Sequence, residues 1–290
     1  MLVSLVLQLQ ASRQEPVLGL SGQLVHGWFL KLVERHDLGL AAELHPDRRH
    51  KPFTLSPLQP MVTPGGNTGE AANRRSYWLR ITSVAKPLSD LLLGLEAEGI
   101  GSVRLGGTEF EISQVAREAS EHPWAGTGNF ADIWGRWMSG DHLPGRVRLR
   151  FVSPTAFEAR KKTGNTLFPL PDQVSRSLWE KWNEHAPHRL TDGVLKELGH
   201  LTRVEAHHLR TEAVKFKGSN GKDFTEKGFV GWCEFSVGRD GSPDAHRALH
   251  LLADFAFYAG VGLKTTMGMG QAVALSRLTP RAPLRAATAR

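Results

Sequence analysis

The sequence predicts an α+β fold made of two tandem domains that share one order of elements, β-α-β-β-α-β. Apolar residues recur with strand and helix periods in this same order in both halves of the chain. The length of 290 residues suits two domains of ordinary size, and the apolar fraction of 40% is enough to give each domain a core. Because this order of elements defines the ferredoxin-like unit, we expect that unit twice.

The N-terminal domain is predicted to span residues 1–118. Ser21 can cap a helix that runs to about Arg35, because apolar residues recur at helical spacing after it. The elements predicted for this half are a strand at 2–10, helices at 21–35 and 38–44, a short strand at 53–58, a loop at 60–73, a strand at 77–84, a helix at 88–98 and a strand at 103–112.

The C-terminal domain is predicted to span residues 145–280, after a connector at 119–144 whose tryptophans we expect to pack between the halves. Ser242 can cap a helix that Gly260 ends as a C′ glycine does. The predicted elements are a strand at 146–153, a helix at 172–183, strands near 202–217 and 228–237, a helix at 243–259 and a strand at 268–278. The basic tail at 281–290 has little to bury, so we expect it to be disordered.

Composition narrows the classes of function. The formal net charge is +7, which favours an anionic partner such as nucleic acid. No run of about 18 apolar residues is present, so no membrane span is expected. The first residues lack the features of a signal peptide. The single cysteine, Cys233, can form neither an internal disulfide nor a cysteine zinc cluster, which fits a reducing cytoplasm.

A glycine-rich segment, GVGLKTTMGMG, lies between the last predicted helix and the last predicted strand. Glycine lets a ligand approach backbone N–H groups closely, and a lysine beside those groups suits a phosphate. The segment is not a P-loop, because Leu263 stands where that motif has glycine, and not a Rossmann turn, because a helix precedes it. An extended polyanion is the best candidate ligand, and a plain helix-to-strand turn is the alternative. The candidate RNA-binding residues are Gly260, Gly262, Lys264, Thr265, Thr266, Gly268 and Gly270.

A second segment, LHPDRRHKPFT, places His45 and His50 close to the cations Arg48, Arg49 and Lys51. Histidine can exchange a proton near neutral pH, and a neighbouring cation can stabilise charge on a phosphate in the transition state. These groups suit metal-free RNA cleavage, in which a 2′-hydroxyl attacks the adjacent phosphate and leaves a 2′,3′-cyclic phosphate and a 5′-hydroxyl. A solvated basic loop explains the same residues equally well.

The remaining histidines are weaker candidates. His26 lies beside apolar residues on the first predicted helix, which favours a partly buried structural role. His246 and His250 are four residues apart on a predicted helix and could share a metal, but two histidines leave a catalytic zinc site incomplete. We therefore expect no metal and no other cofactor.

Together these segments resemble a known family. The tandem ferredoxin-like order, the loop GVGLKTTMGMG and the segment LHPDRRHKPFTLSPL are similar to those of the CRISPR-associated endoribonuclease family that processes precursor CRISPR RNA, the sixth Cas protein. The segments RVRLRFVSPTAF and LPDQVSRSLWEKWN resemble the start and the first helix of that family's second half. The glycine loop is shared with the wider superfamily of repeat-associated RNA-binding proteins, whereas the LH…KPFTLSPL segment points to the cleaving member.

The resemblance implies a metal-independent endoribonuclease that cleaves precursor CRISPR RNA within the repeat. It places the family's histidine on His45, the lysine that follows on Lys51 and the cation of the glycine loop on Lys264. Some members carry a catalytic tyrosine on the first helix, where this chain has none. Either His45 acts with Lys51 alone, or His26 or His50 supplies the second group. The alternative function is a non-catalytic RNA-binding scaffold subunit of a CRISPR effector complex. The implied partners are CRISPR repeat RNA, other subunits of such a complex and a second copy in a homodimer.

Overall fold

The computed structural model describes residues 1–12, 22–45, 50–61, 76–139, 143–159, 164–218 and 221–278. Within these residues, two large antiparallel sheets pack against helices, a third sheet has only two strands, and the ferredoxin-like order of elements occurs twice. The predicted fold class is therefore confirmed, while the predicted tail lies outside the described residues. None of the described helices is long and apolar enough to cross a membrane.

The first sheet has its central strand buried on both faces. The elements of this half are β1 (Leu2–Ala11), α1 (Gly22–His36), α2 (Leu38–Leu44), β2 (Phe53–Leu55), β3 (Gln59–Pro60), β4 (Ser76–Ser83), α3 (Lys86–Gly94), α4 (Ala97–Ile100), β5 (Val103–Leu105), β6 (Thr108–Ala116) and β7 (Gly126–Gly128). The strand order is β2-β4-β1-β6-β5, with β3 on β4 and β7 on β1. On β1, Val3, Leu5 and Leu7 face the core under α1, whereas Leu2 packs in the core of the second half and Ser4 accepts a hydrogen bond from Arg80 of β4.

The second sheet has the order β11-β12-β8-β13. Its half of the chain contains α5 (Phe130–Met138), β8 (Val147–Thr155), β9 (Phe157–Glu158), β10 (Asn165–Thr166), α6 (Pro171–His185), α7 (Asp192–Leu201), β11 (Thr202–Lys217), β12 (Asp223–Val237), α8 (Pro243–Ala259), β13 (Ala272–Ala274) and α9 (Leu275–Leu278). Ser242 caps α8 and Gly260 ends it, as predicted. From Leu251 to Ala259, α8 is buried all round because it packs between the two sheets.

The prediction of one continuous strand at 103–112 is wrong, because this stretch forms a hairpin of two strands. Gly106 and Gly107 adopt positive φ angles of 55° and 86° and turn the chain between β5 and β6. The predicted helix at 88–98 is also divided into α3 and α4. Leu95 is extended, with φ −76° and ψ 124°, and interrupts the helical hydrogen bonding.

The last predicted strand, 268–278, is much shorter in the structure. Gly268 and Gly270 have positive φ angles of 91° and 70° and belong to the preceding loop, so only β13 extends the sheet before α9 begins. Helix α7 was not predicted. Thr191 caps it by accepting a hydrogen bond from the N–H of Val194.

Residues in the predicted connector join the two halves. Strand β7 pairs with β1 of the first sheet, whereas α5 packs against α8 of the second half. Trp124 stacks between Trp78 of β4 and Phe257 of α8, with ring centroids 6.5 and 5.9 Å apart. This tryptophan therefore packs between the halves as expected, while the exact domain boundaries stay predictions.

A buried arginine fastens the two halves together. Arg80 is 1% exposed and donates from Nε to Ser4 Oγ at 2.7 Å and from Nη1 to Gln271 Oε1 at 2.8 Å. Its Nη2 donates to the carbonyl of Phe257, and its guanidinium lies over the Trp124 ring. Burial lowers the pKa of Arg80 to about 9, so it stays charged at neutral pH. These contacts fix the candidate residues of one half relative to those of the other.

Candidate active site

Three segments of the chain meet at the junction of the two halves. They are α1 with His26, the end of α2 with His45 and the following Lys51, and the glycine-rich loop at 260–270. Nδ1 of His26 lies 3.1 Å from the carbonyl oxygen of Thr266, so helix α1 contacts the loop directly. The charges of Lys51 and His45 both act on His26. The structure therefore brings the two sequence-predicted segments together.

The start of α1 packs backbone to backbone against the glycine-rich loop. A Cβ atom at Gly22 would lie 2.3 Å from the carbonyl carbon and oxygen of Met267 and 2.5 Å from the nitrogen of Gly268. A Cβ atom at Gly268 would in turn lie 3.0 Å from the Cα of Gly22. Only a residue without a side chain permits this approach. Sequence reasoning missed Gly22, since its partners lie at the far end of the chain.

The glycines of the loop are required by its own packing. Gly262 has φ 80°, and a Cβ there would lie 2.3 Å from the carbonyl oxygen of Ala156. Gly270 has φ 70°, and a Cβ there would lie 2.2 Å from the carbonyl oxygen of Val261. The loop closes on itself through a hydrogen bond from the Val261 N–H to the Gly270 carbonyl, at 2.8 Å. Gly260 has φ 61°, a positive value that favours glycine over residues with a side chain. These glycines shape the loop.

The turn at the centre of the loop presents unused backbone donors. Within the described residues, the N–H groups of Lys264, Thr265 and Thr266 donate to no protein acceptor. They lie at the beginning of a 3₁₀ turn, Thr265–Met267, where the first N–H groups have no intrahelical partner. Successive backbone N–H groups of this kind can bind an anion. Lys264 has φ 50°, the one positive φ of a non-glycine residue in the described part of the chain.

The Lys264 side chain lies on the β11–β12 hairpin. Its Nζ is 3.6 Å from Oε1 of Glu226, and 5.5 and 5.4 Å from the ring centroids of Phe216 and Phe224. The predicted cation of the loop is therefore held by a carboxylate and two aromatic rings. Sequence reasoning missed all three partners, because they come from other strands.

His26 is poised to accept a proton. The Thr266 carbonyl can only accept, so Nδ1 of His26 carries the hydrogen and Nε2 of the neutral ring has a free lone pair. Burial lowers the pKa of His26, the hydrogen bond to Thr266 raises it in part, and the charges of Lys51 and His45 lower it further. The imidazole is therefore neutral at pH 7.

Lys51 caps the helix that carries His45. Its Nζ donates to the carbonyl oxygens of Leu44 at 2.7 Å and of His45 at 3.4 Å, at the C-terminal end of α2. A cation at this end satisfies the last carbonyl groups and favours the helix dipole. Lys51 thus holds the backbone of His45, whose side chain is exposed.

His50 contacts the second half of the chain. Its Nε2 lies 3.1 Å from Oε2 of Glu180 on α6. This contact links the segment after His45 to the C-terminal half. Arg48 and Arg49, which were predicted to bind RNA, lie outside the described residues.

His250, one of the two histidines on α8, is held by structural contacts. Nε2 of His250 donates to the carbonyl of Pro144 at 2.7 Å, and its ring stacks on Trp137 with centroids 4.9 Å apart. That nitrogen is therefore occupied by a protein partner. In the described part of the chain, no three His, Cys, Asp or Glu side chains gather as metal ligands.

A buried lysine anchors the loop where it leaves α8. Nζ of Lys181 donates to the carbonyl oxygens of Ala259 at 2.9 Å and Gly260 at 3.0 Å, and the nearby Ser177 hydroxyl accepts from the Gly262 N–H at 2.9 Å. Burial lowers the pKa of Lys181 from 10.5 to about 7, against a smaller opposing effect of the Glu180 charge. Between these pH values the unfolded chain binds a proton that the folded chain does not, so stability rises with pH across this window.

Comparison with known proteins places this site in a family. The sequence model of the CRISPR Cas6 N-terminal domain matches residues 1–135, and that of the CRISPR-associated endoribonuclease Cas6 matches residues 149–272. The protein is a tandem ferredoxin-like, RNA-cleaving enzyme of CRISPR defence. It belongs to the Cas6 family of CRISPR-associated endoribonucleases, as the sequence resemblance predicted. A search of curated proteins finds no match.

Solved Cas6 structures are similar over nearly the whole chain. The Cas6 (TTHB231) product complex has a TM-score of 0.75 and 27% identity, and the match covers 94% of this chain and 100% of that one. The Cas6 (TTHA0078) product complex has a TM-score of 0.72 and 28% identity, with 94% and 98% covered. Thermus thermophilus Cas6 (TTHB231) has a TM-score of 0.68 and 26% identity, with the same coverage.

Proposed function

We propose that this chain cleaves precursor CRISPR RNA within the repeat, without a metal ion, by attack of a ribose 2′-hydroxyl on the adjacent phosphate. One observation carries the proposal: the His26 imidazole is hydrogen-bonded to the glycine-rich loop, burial lowers its pKa, and the charges of His45 and Lys51 act on it. The Cas6 relatives solved as product and substrate-mimic complexes support RNA as the substrate.

In this mechanism His26 is the general base and His45 is the general acid. Nε2 of His26 takes the proton of the 2′-hydroxyl while the 2′-oxygen bonds to phosphorus. His45 gives a proton to the 5′-oxygen as its bond to phosphorus breaks. His26 thus gains one proton and His45 loses one, so the protons balance. The products are a 2′,3′-cyclic phosphate and a 5′-hydroxyl. The second catalytic group is therefore assigned to His26 rather than to His50, whose ring contacts Glu180.

The glycine-rich loop binds the RNA backbone in this proposal. The unused N–H groups of Lys264, Thr265 and Thr266 hydrogen-bond a phosphate, and the Lys264 ammonium adds positive charge beside it. The loop glycines shape this turn; they are Gly260, Gly262, Gly268 and Gly270. Lys51 keeps His45 in place by capping α2 and adds to the positive potential at the reacting phosphate.

The test is cleavage of end-labelled CRISPR repeat RNA in EDTA. We expect the wild-type protein to cleave and to leave a 2′,3′-cyclic phosphate on the 5′ fragment. His45→Ala and His26→Ala should each lower the single-turnover rate by about 10²–10⁴-fold while RNA binding remains, since each removes one acid or base. His36→Ala is the matched control, because His36 is an exposed histidine of α1 whose ring bonds to the Gly99 carbonyl.

Three results would contradict the mechanism. Full activity of the His45→Ala protein would remove this side chain from catalysis. Loss of wild-type cleavage in EDTA with recovery in Mg²⁺ would show a metal-dependent reaction. RNA binding by the wild-type protein with no cut product would favour the scaffold function instead.

A further inference from the structure

The β11–β12 hairpin projects beyond the second sheet and reaches the candidate active site. Strand β12 pairs with β8 only between Phe229 and Phe235, whereas β11 and β12 remain paired with each other out to Lys217 and Asp223. At its end, the side chain of Gln23 donates to the Lys217 carbonyl at 2.8 Å and accepts from the Lys217 N–H at 2.9 Å. Because Gln23 lies one turn before His26 on α1, the end of the paired strands at Lys217, here called the hairpin tip, is held beside α1.

An aromatic pair lies near this tip. Phe216 and Phe224 face each other across the two strands, with ring centroids 5.5 Å apart and planes inclined by 23°. Phe216 is 2% exposed, whereas Phe224 is 40% exposed. Among the described residues, Phe224 is the one phenylalanine, tyrosine or tryptophan that is exposed. The buried Phe216 ring therefore packs against the exposed Phe224 ring and supports it.

The surroundings of Phe224 suit a nucleotide better than an apolar partner. The Lys264 ammonium lies 5.4 Å from the Phe224 ring centroid, at the turn whose N–H groups are unused. The flanking residues Asp223 and Thr225 are polar and exposed, so the apolar surface is limited to about one ring. A flat ring beside a cation is the arrangement by which proteins stack an unpaired base and hold its phosphate.

We propose that Phe224 is a stacking platform for an unpaired nucleobase of the RNA bound by the glycine-rich loop. Phe216 supports the ring, and Lys264 links the stacked base to the phosphate held by the loop. The inference rests on the proposed RNA-processing function and adds a binding site on the hairpin. Stacking tolerates any base, so this contact fixes where the strand lies rather than which sequence is bound.

The test measures RNA binding in a His45→Ala background, so that cleavage does not interfere. Binding of labelled CRISPR repeat RNA should weaken by about 5- to 150-fold in Phe224→Ala, the range expected for the loss of one base stack. Phe224→Trp should retain the affinity that Phe224→Ala loses, because tryptophan also has a π-face. Phe224→Leu should not retain it, because leucine keeps apolar area but has no π-face. Leu170→Ala is the control, since Leu170 is also 40% exposed and lies just before α6.

A second readout locates the base. With 2-aminopurine placed in turn at each unpaired position of the same RNA, fluorescence should fall at one position on binding and recover in Phe224→Ala. Unchanged affinity of Phe224→Ala, or full affinity of Phe224→Leu, would overturn the stacking site. Because wild-type cleavage in EDTA is measured separately, that result would leave the catalytic proposal standing.

Discussion

A single methyl group at the start of α1 should separate the two parts of the active site. Gly22 lies against the backbone of Met267 and Gly268, so Gly22→Ala would place Cβ 2.3 Å from the Met267 carbonyl. The new Cβ is fixed to the α1 backbone, and the atoms that it meets belong to the backbone of the loop. No flexible side chain can therefore turn away to relieve the clash. The helix and the glycine-rich loop must therefore move apart.

The size of the movement follows from the contact distance. Ordinary contact for a Cβ atom begins at 3.4 Å, so the two backbones must separate by about 1.1 Å. The bond from His26 to the Thr266 carbonyl, now 3.1 Å, would lengthen to about 4.2 Å and be lost. A misplacement of about 1 Å can cost on the order of 10²-fold in rate, and we expect this loss in single-turnover cleavage.

Gly27→Ala is the matched control for this substitution. It makes the same change on the same helix, but a Cβ at Gly27 meets no atom within 4 Å. It should therefore leave the cleavage rate close to that of the wild type and gain up to about 1 kcal/mol of helix stability. Equal rates for Gly22→Ala and Gly27→Ala, with both proteins folded by circular dichroism, would refute the proposed dependence on the α1–loop contact.

Two further predictions concern titratable groups. Because burial lowers the pKa of His26, the acid limb of the single-turnover rate should have its midpoint below pH 6.5; a midpoint above 6.5 would contradict His26 as the base. For Lys181, the folded pKa of about 7 against 10.5 in the unfolded chain predicts that stability rises with pH between those values. From pH 7 to pH 9, the unfolding free energy of the wild type should rise by about 2 kcal/mol more than that of Lys181→Met, measured by urea denaturation. Parallel pH curves for the two proteins would show that Lys181 does not titrate in this way.

Much of the fold could be predicted because it depends on local pattern. Apolar and polar residues alternate along β8, and a serine begins α8 while a glycine ends it. These signals act within a few positions of the chain, and the structure has both elements as expected. The hairpin at β5–β6 and the short β13 were missed because glycines with positive φ interrupt an otherwise strand-like pattern. Whether a glycine adopts a positive φ depends on the tertiary packing of the strands that it joins, which the local sequence pattern does not show.

The candidate site was predicted in part. The residues of the glycine-rich loop and His45 stand out by composition, and the structure brings their segments together. The residues around His26 favour a structural role, and the family resemblance leaves it as one of two candidates for the second catalytic group. Nothing beside it in the sequence shows that a loop carbonyl from the far end of the chain fixes its tautomer. Lys181 looks like an ordinary helix lysine until the fold buries it against the end of α8.

The sequence alone determined the order of elements, the excess of positive charge and the types of group available for chemistry on a phosphate. These properties are set by each residue and its near neighbours. The tertiary structure decided which imidazole lies against the glycine-rich loop with a lowered pKa, which cation is held by a carboxylate and which aromatic ring is left open. Burial and electrostatic fields arise only when distant segments pack together, and they set the pKa of His26 and the position of Lys264.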